Sequence, residues 1–591
     1  MVRLVGALRN AAAVTALLLA AAPVAAADPP KSVTTEYSRY EREAIEAAEA
    51  ALGSTIDPSP EGKIVESIET VRLDPIEPRD PAPVALNKVH VTTQEDVITH
   101  EVLLHVGAPY RAVLADETAR NIRRFMKVSL VAVIPLRGSA RDRVRLVVIT
   151  KDVWSLIADV DVYISSGGPE RLMFELEETN LFGRQTEISA RSIVQPESFS
   201  LGGAYAAPRF AGRFLSLHAE GNVIINRRSG EPEGSFGDAR IERPLYSTRA
   251  HWSWGQGIAW NDEVYRRYTN AAVAQYEGGL PWLYRSRRIE QGFHATRSFG
   301  WARKHDITLG TSLVRDEYVI PKLEDYDPAV VAAFTREYLP VGERRSLGYV
   351  QWRAYGNDFL RIVDYETLGL QEDYRLGYDV VVRAYPVVKS FGSTRDLVGV
   401  RAAAVYTLAL GDGFVRGLID TTTESERERI SDASVTAELR VVSPRTPLGR
   451  LIFDVDAVNR WRNYLNRQSL LGGEDRLRGW PTRYFIGENL FAMNLEFRTR
   501  PIQIFSMLFG SALFYDVGRA YTGRLDDINP VHSVGAGFRI VLPQIDRTVI
   551  RGDFGFPISA SGLPAGVQPM SFYFAFGQAF RSKGLPHPFG P

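Results

Sequence analysis

Short segments in which apolar and polar residues alternate fill the chain from Trp154 onward. Examples are HDITLGTSLV (305–314), LIFDVDAV (451–458) and ALFYDVG (512–518). A period of two places successive side chains on opposite faces of a β-strand. Turns rich in Gly, Pro, Asn and Asp, or long polar stretches such as residues 225–244, separate these segments. The pattern therefore predicts many antiparallel strands over residues 153–580.

Alternation alone fits a soluble β-sandwich as well as a membrane barrel. Three features favour the barrel: no helical interlude is long enough to cover a sheet, aromatic residues are dense, and tight turns alternate with long polar loops. Only four aromatic residues precede Trp154, namely Tyr37, Tyr40, Tyr110 and Phe125. Because every backbone group in lipid must be paired, we expect an all-β transmembrane β-barrel. At about 26 residues per strand and connection, it would have about 16 antiparallel strands.

Residues 63–152 have the pattern of a small, separate α+β domain. KIVESIETVRL (63–73) alternates like a strand, and two segments with helical spacing follow it at 93–106 and 115–126. Two apolar strand segments, VSLVAVIPL (128–136) and RVRLVVIT (143–150), complete the order β-α-α-β-β.

The first residues have the pattern of an export signal. Arg3 and Arg9 accompany a run of Ala, Leu and Val, and Ala25-Ala26-Ala27 offers a cleavage site. The alternative is an uncleaved anchor, but Pro23 breaks a short, alanine-rich stretch, so we expect residues 1–27 to be a signal peptide.

The pattern of residues 28–62 predicts a periplasmic helix followed by a linker. The charged helical pattern at 36–52 would end at Gly53, and prolines follow it. No later run of about 18 apolar residues predicts a membrane-spanning helix.

Composition argues against several classes of function. Lys plus Arg equals Asp plus Glu, 70 of each, so net charge gives no argument for nucleic acid. The absence of cysteine excludes disulfides, cysteine-ligated zinc and thiol catalysis. The chain has no hydrolase, zinc-protease or P-loop motif, and its histidines lack metal-ligand spacing. We therefore expect no enzyme, no cofactor and no metal.

A charged glycine loop, LGGEDRLRGW (471–480), precedes a regular strand. The apolar face of that strand consists of Phe491, Met493, Leu495 and Phe497. If the loop enters the barrel, Arg478 needs acidic partners, because burying an unpaired guanidinium is costly. Alternation places Asp516 and Glu496 on the lumenal face, and Asp553 is a third candidate. We predict that these acidic residues pin Arg478 to the wall; the alternative is a solvated external loop.

These residues carry a family resemblance. Arg478-Gly479-Trp480 resembles the V-R-G-Y/F motif of BamA/TamA-type outer-membrane assembly barrels, the bacterial surface antigen family, in which it lies on a loop folded back into the barrel. FYDVG (514–518) is similar to the F-x-D-x-G strand motif of that family, and EETNLFGR (177–184) resembles its first barrel hairpin. The β-α-α-β-β unit resembles a POTRA domain, the periplasmic module of these proteins. The helix at 36–52 resembles the plug helix of two-partner transporters, although a solvated helix is the favoured interpretation.

The last predicted strand, SFYFAFGQAF (571–580), also carries the resemblance. Phe572, Phe574 and Phe576 share one face and Phe580 ends the segment, which resembles the C-terminal signal read by the outer-membrane assembly machinery. Residues 581–591 follow as a C-terminal tail. In the family, a weak seam between the first and last strands is where client strands pair.

The resemblance implies outer-membrane protein assembly, insertion or translocation of client polypeptides, with the POTRA-like domain receiving clients. The implied partners are outer-membrane lipid, unfolded outer-membrane or secreted clients, and periplasmic chaperones or accessory lipoproteins, without nucleic acid. The implied location is the cell outer membrane, with the N-terminal domain in the periplasm. The alternatives are a passive porin-like channel and a structural or adhesive surface barrel. An open pore needs neither a POTRA-like domain nor an inward Arg478 loop.

Overall fold

The structure is a computed structural model that describes residues 32–33, 37–78, 80, 82–165, 168–269, 271–321, 323–427, 429–473, 476–559, 561–564, 567–580 and 583–585. The predicted signal peptide, residues 1–27, lies outside the described residues. None of the described helices is both long and apolar enough to cross a membrane.

A three-stranded sheet forms the centre of the N-terminal part. The first elements are β1 (Ser32–Val33), α1 (Arg39–Leu52), β2 (Ile64–Leu73), α2 (Glu95–Thr99), α3 (Ala112–Phe125), β3 (Val128–Arg137) and β4 (Arg143–Asp152). The sheet order is β2-β4-β3, in which β2 runs parallel and β3 antiparallel to β4. Ile98 and Ile122 pack with Val131 and Val148 on one face of the sheet. This sheet with α2 and α3 is called the α+β domain below.

Helix α1 covers the other face of the same sheet. Its buried residues Tyr40, Ala44, Ile45 and Ala48 pack against a set from β3 and β4 that includes Leu130. A capping box begins the helix: the Ser38 hydroxyl accepts from the Glu41 amide, and the Glu41 carboxylate accepts from the Ser38 amide. The expectation of a solvated helix is therefore wrong, because the helix has an apolar stripe that matches the second face of the sheet. The same apolar cluster includes Leu368, Leu370 and Leu508 from later in the chain, so the helix contacts more than the sheet.

The rest of the chain consists mainly of β-strands. They are β5 (Leu156–Ser165), β6 (Gly168–Glu178), β7 (Glu187–Val194), β8 (Ser198–Ala207), β9 (Ser216–Asn226), β10 (Pro232–Arg243), β11 (Trp252–Arg266), β12 (Tyr268–Thr269), β13 (Ala272–Val273), β14 (Leu283–Phe299), β15 (Arg303–Val319), β16 (Arg344–Gly356), β17 (Phe359–Val363), β18 (Gln371–Arg375), β19 (Gly377–Val387), β20 (Leu397–Leu410), β21 (Gly413–Glu426), β22 (Arg429–Val442), β23 (Gly449–Asn463), β24 (Ser469–Leu471), β25 (Phe485–Gly487), β26 (Asn489–Thr499), β27 (Ile502–Ile504), β28 (Met507–Tyr521), β29 (Val531–Val541), β30 (Ile550–Ile558) and β31 (Ser571–Phe576). One further helix, α4 (Pro328–Tyr338), lies between β15 and β16.

Twenty strands of the described chain close an antiparallel barrel: β5–β11, β14–β16, β19–β23, β26 and β28–β31. The short β27 continues β26 along β28. The closed antiparallel barrel is confirmed, but the expected count of about 16 strands is wrong. Strand and connection together take about 21 residues instead of about 26, because some connections are as short as the two residues 411–412.

The two faces of the wall differ in polarity. On β15, Ile307, Leu309 and Leu313 point outward and are exposed, whereas Asp306 and Thr308 point inward and are buried. The same alternation recurs around the barrel, so its outer surface presents an apolar belt and its lumen is polar. This is the arrangement that a strand needs when one face meets lipid.

A hairpin between two wall strands enters the lumen at one end of the barrel. This end contacts the α+β domain and is called the proximal end. This plug hairpin (357–376), which contains β17 and β18, connects β16 to β19. Its residues Leu360, Ile362 and Tyr365 are buried against a wall set that includes Phe414 and Ile452. β1 pairs in parallel with β17, so the N-terminal segment adds a strand to the plug hairpin. The proximal mouth is therefore occupied by a short sheet.

Candidate functional site: the lumenal loop and the seam

The connection between β23 and β26, called the lid loop (464–488), folds back into the barrel from the distal end, opposite the α+β domain. Strands β24 and β25 pair at its base. Gly479 has φ 99° and lies against β30, where a β-carbon would meet the Phe556 amide nitrogen at 3.0 Å. Glycine is therefore required at this position by both the backbone conformation and the close approach.

Arg478 lies at the centre of an acidic site on the wall and has no exposed surface. Its Nε and Nη2 atoms each donate to the Asp516 carboxylate at 2.9 Å, and its backbone amide donates to Asp516 at 3.1 Å. Nη1 donates to Glu496 at 2.6 Å and to Asp553 at 3.4 Å. The structure thus brings together all four residues that alternation and the loop pattern nominate. Bidentate pairing of this kind fixes the direction of the guanidinium as well as its position.

The residues that follow Arg478 bond to β29 and to the last strand of the barrel, β31. The Trp480 indole donates to the His532 carbonyl at 3.0 Å, and its ring is buried. The Tyr573 hydroxyl on β31 donates to the Trp480 carbonyl at 2.9 Å, and the Ser571 hydroxyl donates to the Gly479 carbonyl at 3.0 Å. Arg478-Gly479-Trp480 therefore links the wall strands that hold Arg478 to the strand that closes the barrel.

A wider set of ion pairs, to which no sequence motif points, surrounds this centre. Arg476 on the lid loop pairs with Asp454 on β23 and lies 3.2 Å from Asp456. On the wall, Arg498 pairs with Glu496 at 2.6 Å, and Arg539 pairs with Asp553 at 2.6 Å. Alternation could have found the acids, because Asp454 and Asp456 both occupy inward positions of LIFDVDAV.

The C-terminal segment departs from the prediction. β31 ends at Phe576, and Phe572, Phe574 and Phe576 lie on its outward face. Gly577 has φ 93° and turns the chain inward, so Phe580 does not end the strand as predicted. Phe580 is buried in the lumen instead, where its carbonyl accepts from Arg440 at 2.6 Å.

Residues 577–580 and 583–585, together called the lumenal tail, contact the same ion pairs as the lid loop. The Phe580 ring lies 5.4 Å from the Arg478 guanidinium, whose other neighbouring ring, Phe514, is at 3.4 Å. Lys583 pairs with Asp456 at 2.6 Å, the carboxylate that also faces Arg476. The tail therefore packs beside the lid loop inside the barrel.

The seam between the first and last strands is short. Among the described residues, three pairs join β31 to β5, against six between β30 and β31 and fifteen between β14 and β15. The three pairs are Phe572 with Ile164, Tyr573 with Tyr163 and Phe574 with Val162. Most of β5 therefore presents backbone groups that β31 does not pair, and unpaired strand edges attract other strands.

Polar contacts fix the α+β domain to the proximal end of the barrel. Asn180, between β6 and β7, donates to the Val91 carbonyl at 3.0 Å, and Gln185 donates to the Thr93 hydroxyl at 2.7 Å. Arg209 pairs with Glu101 through two hydrogen bonds. EETNLFGR (177–184) thus lies at the junction between the domain and the wall.

One group in the described part of the chain has the spacing of a metal site: His218, Glu220 and Asp238 on the inner wall. Both carboxylates already accept hydrogen bonds from arginines, Glu220 from Arg191 and Asp238 from Arg240, each at 2.8 Å. A cation there would have to compete with these ion pairs, so the group gives no support for a metal.

No protein-family model matches the chain. A protein of Treponema pallidum (strain Nichols), named as a candidate outer membrane protein assembly factor, is 24% identical over 217 residues, which are 35% of this chain. The match spans 25% of the length of that protein.

Three solved structures are similar over most of the chain. BamA from Haemophilus ducreyi lacking POTRA domains 1–3 is 11% identical, with 94% of this chain and 99% of that chain covered and a TM-score of 0.36. CdiB from Acinetobacter baumannii is 11% identical (91% and 81% covered, TM-score 0.38), and CdiB from Escherichia coli is 13% identical (89% and 80% covered, TM-score 0.43). With scores this low, the fold class rests on the strand order of this chain.

A closed barrel with an apolar belt, a polar lumen and an even number of strands defines an outer-membrane β-barrel protein. The match to the Treponema protein agrees with the resemblance to BamA/TamA-type barrels carried by Arg478-Gly479-Trp480.

Proposed function

We propose that this protein assembles or translocates client polypeptides at the outer membrane, and that client strands pair at the seam between β5 and β31. The observation that carries the proposal is the length of that seam, which has three residue pairs in an otherwise extensively paired barrel. A client strand that reaches β5 would satisfy backbone groups that β31 leaves unpaired. Strand addition of this kind needs no cofactor, because the hydrogen bonds of the client supply the stabilisation.

The contents of the lumen favour exit at the seam over passage through an open pore. The lid loop, the plug hairpin and the lumenal tail all lie inside the barrel and share buried contacts. Arg440 connects two of them, since it donates to the Tyr365 hydroxyl of the plug hairpin at 2.9 Å and to the Phe580 carbonyl. A passive channel would conduct poorly through such a barrel, so the porin-like alternative is disfavoured.

The α+β domain is proposed to lie in the periplasm and to receive clients. Its contacts through described residues such as Asn180 and Arg209 are at the proximal end, where the first strand begins. Helix α1 already covers one sheet face and helices α2 and α3 cover the other. The β3 edge already bonds residues 55–57, and residues 107–108 bond the start of β2, so the β2 edge beyond Val65 is the edge proposed for an extended client. Chaperones and accessory lipoproteins remain proposed partners.

Depletion of the protein in its native host tests the proposal, with outer-membrane and secreted proteins quantified afterwards. A fall in many barrel proteins would indicate a general assembly factor, and loss of one or two exported proteins would indicate a dedicated transporter. No change in either fraction would overturn the proposal and favour a surface structural or adhesive barrel.

A further inference from the structure

A cavity of about 830 Å³ lies at the proximal end of the barrel, between the α+β domain, the plug hairpin and the feet of the wall strands. Helix α3 contributes Arg120 and Arg124, the plug hairpin contributes Phe359 and Arg375, and β16 contributes Arg353 and Tyr355. Its size is that of cavities that take organic ligands rather than single ions.

Guanidinium groups and aromatic rings alternate along one side of this cavity. The Arg120 guanidinium lies 4.1 Å from the Phe359 ring, and Arg375 lies 5.4 Å from that ring and 4.3 Å from the Tyr355 ring. Arg353 lies 4.6 Å from the Tyr355 ring on the same row. We call Arg120, Phe359, Arg375, Tyr355 and Arg353 the arginine–aromatic row. Each cation in it lies on a ring that orients it without neutralising it.

Three arginines that line the cavity, Arg120, Arg124 and Arg375, form no ion pair with an acidic residue of the described chain. Within the described chain, Arg120 and Arg124 donate no hydrogen bond, and Arg375 donates only one, to the Gly356 carbonyl at 3.3 Å. Arg353 differs, because it forms a bidentate pair with Asp379. A guanidinium carries five N–H donors, so these three arginines together leave many donors free to bind a ligand in the cavity.

Nearby carboxylates act on these three arginines at a distance, but none in the described chain forms an ion pair with them. Glu117 accepts from the Thr248 amide and hydroxyl at 2.6 and 2.8 Å, and Asp373 pairs with Arg123. Glu242 and Glu366 also line the cavity, but neither comes within 4.0 Å of a nitrogen of Arg120, Arg124 or Arg375. Burial lowers the pKa of Arg120 and of Arg375 below the usual arginine value, as expected for cations with incomplete compensation.

We propose that this cavity binds an acidic, extended segment of a client polypeptide, whose carboxylates pair with Arg120, Arg124 and Arg375. Guanidinium groups bind carboxylates with two parallel hydrogen bonds. A single small anion would need the cations to converge on one point. Here the Arg120 guanidinium instead lies on the Phe359 ring, whereas the Arg375 guanidinium lies nearer to the Tyr355 ring, at 4.3 Å, than to the Phe359 ring, at 5.4 Å. Alternate side chains of an extended segment lie about 7 Å apart, which suits such a row.

The inference rests on the proposed function for the identity of the ligand, but its test does not. The probe is a rhodamine-labelled peptide of alternating glutamate and serine, and its control has glutamine in place of each glutamate. Binding to the purified full-length protein in detergent is followed by fluorescence anisotropy at low and high salt. We expect the acidic peptide to bind, the glutamine peptide not to bind, and salt to weaken the affinity.

Variants of helix α3 locate the site. The double variant Arg120→Gln/Arg124→Gln should bind the acidic peptide about tenfold or more weakly, since each loses a charged hydrogen-bond donor. Arg111→Gln, an exposed arginine at the start of the same helix and outside the cavity, is the matched control and should bind as the parent does. The charge reversal Arg120→Glu/Arg124→Glu should bind a peptide of alternating lysine and serine instead. A merely structural role would not produce that switch.

Equal binding of both peptides, or unchanged affinity in both double variants, would overturn the inference. Full competition by millimolar inorganic phosphate together with no preference for the glutamate peptide would also overturn it in favour of a small-anion site. If the variants lose peptide binding while depletion leaves exported proteins unchanged, the site stands and the proposed function fails. If depletion lowers exported proteins but the peptide does not bind, the proposed function stands and the site fails.

Discussion

The guanidinium of Arg478 and the carboxylate of Asp516 form a bidentate pair, with two hydrogen bonds of 2.9 Å, between a loop and the wall of the barrel. Neither side chain has exposed surface. The pair fixes the lid loop in the lumen, and Glu496 and Asp553 complete the cation's surroundings. A buried charge with several partners is costly to disturb, because removal of one member leaves the others uncompensated.

Arg478→Ala should leave the barrel inserted but impair its function. The wall is held by strand pairing that does not involve the lid loop, so the folded barrel should keep its heat-modifiable mobility on gels. The free energy that holds the lid loop against the wall should fall by about 3–5 kcal/mol, the usual cost of removing one partner of a buried ion pair. The measurement is complementation of a depleted strain, with outer-membrane protein levels as the readout.

Arg483→Ala is the matched control for that variant, since Arg483 lies on the same loop and is exposed. It should complement like the parent protein. Full complementation by Arg478→Ala would contradict the role given to the lid loop.

Phe580→Ala should loosen the lid loop without opening the wall. The Phe580 ring packs near the Arg478 guanidinium, and its loss would create a cavity beside the loop. Because the chain has no cysteine, Leu477→Cys provides a single reactive thiol at a buried loop position. Its maleimide labelling should become about tenfold faster in the Phe580→Ala background, which corresponds to about 1.4 kcal/mol.

Phe391→Ala provides the comparison, because Phe391 is an exposed phenylalanine outside the lumen. It should leave the labelling rate of Leu477→Cys unchanged. Equal rates in all three backgrounds would mean that the tail does not support the loop.

The plug hairpin should loosen as the pH rises. Burial raises the pKa of the Glu372 carboxyl to about 7 in the folded protein, although backbone amides donate to it. Because the pKa is raised, the stability that the protonated Glu372 carboxyl contributes is fully present below about pH 4.5, the unfolded pKa, and is lost as the pH rises through 7. Labelling of Leu370→Cys should therefore speed up between pH 5 and 8.

Glu372→Gln should remove that pH dependence. The ratio of labelling rates with and without this substitution cancels the ionisation of the thiol itself. A ratio that stays constant from pH 5 to 8 would show that Glu372 does not titrate in this range.

The sequence predicted the parts of the fold that depend on periodicity. Alternation placed Asp516 and Glu496 on the inner wall, and the β-α-α-β-β order of residues 63–152 is the order in the structure. The strand number could not be predicted, because it depends on connection lengths such as the two residues at 411–412.

The lumenal contents were predicted only in part. The motif at Arg478 pointed to an inward loop, but nothing in periodicity places the plug hairpin inside the barrel. Its buried residues Leu360 and Ile362 alternate like those of any strand. Phe580 was assigned to the last strand because it continues a run of aromatic residues, whereas the positive φ of Gly577 redirects the chain. Whether a segment packs inside or outside depends on tertiary contacts that alternation does not encode.

Cross-linking the seam tests the central claim most directly. Ile164→Cys with Phe572→Cys would join directly paired residues of β5 and β31, while Val534→Cys with Phe556→Cys would join a neighbouring pair of wall strands as control. The account predicts that oxidation of the seam pair stops client assembly, that reduction restores it, and that the control pair stays active throughout. Undiminished assembly with the seam fully cross-linked would contradict it.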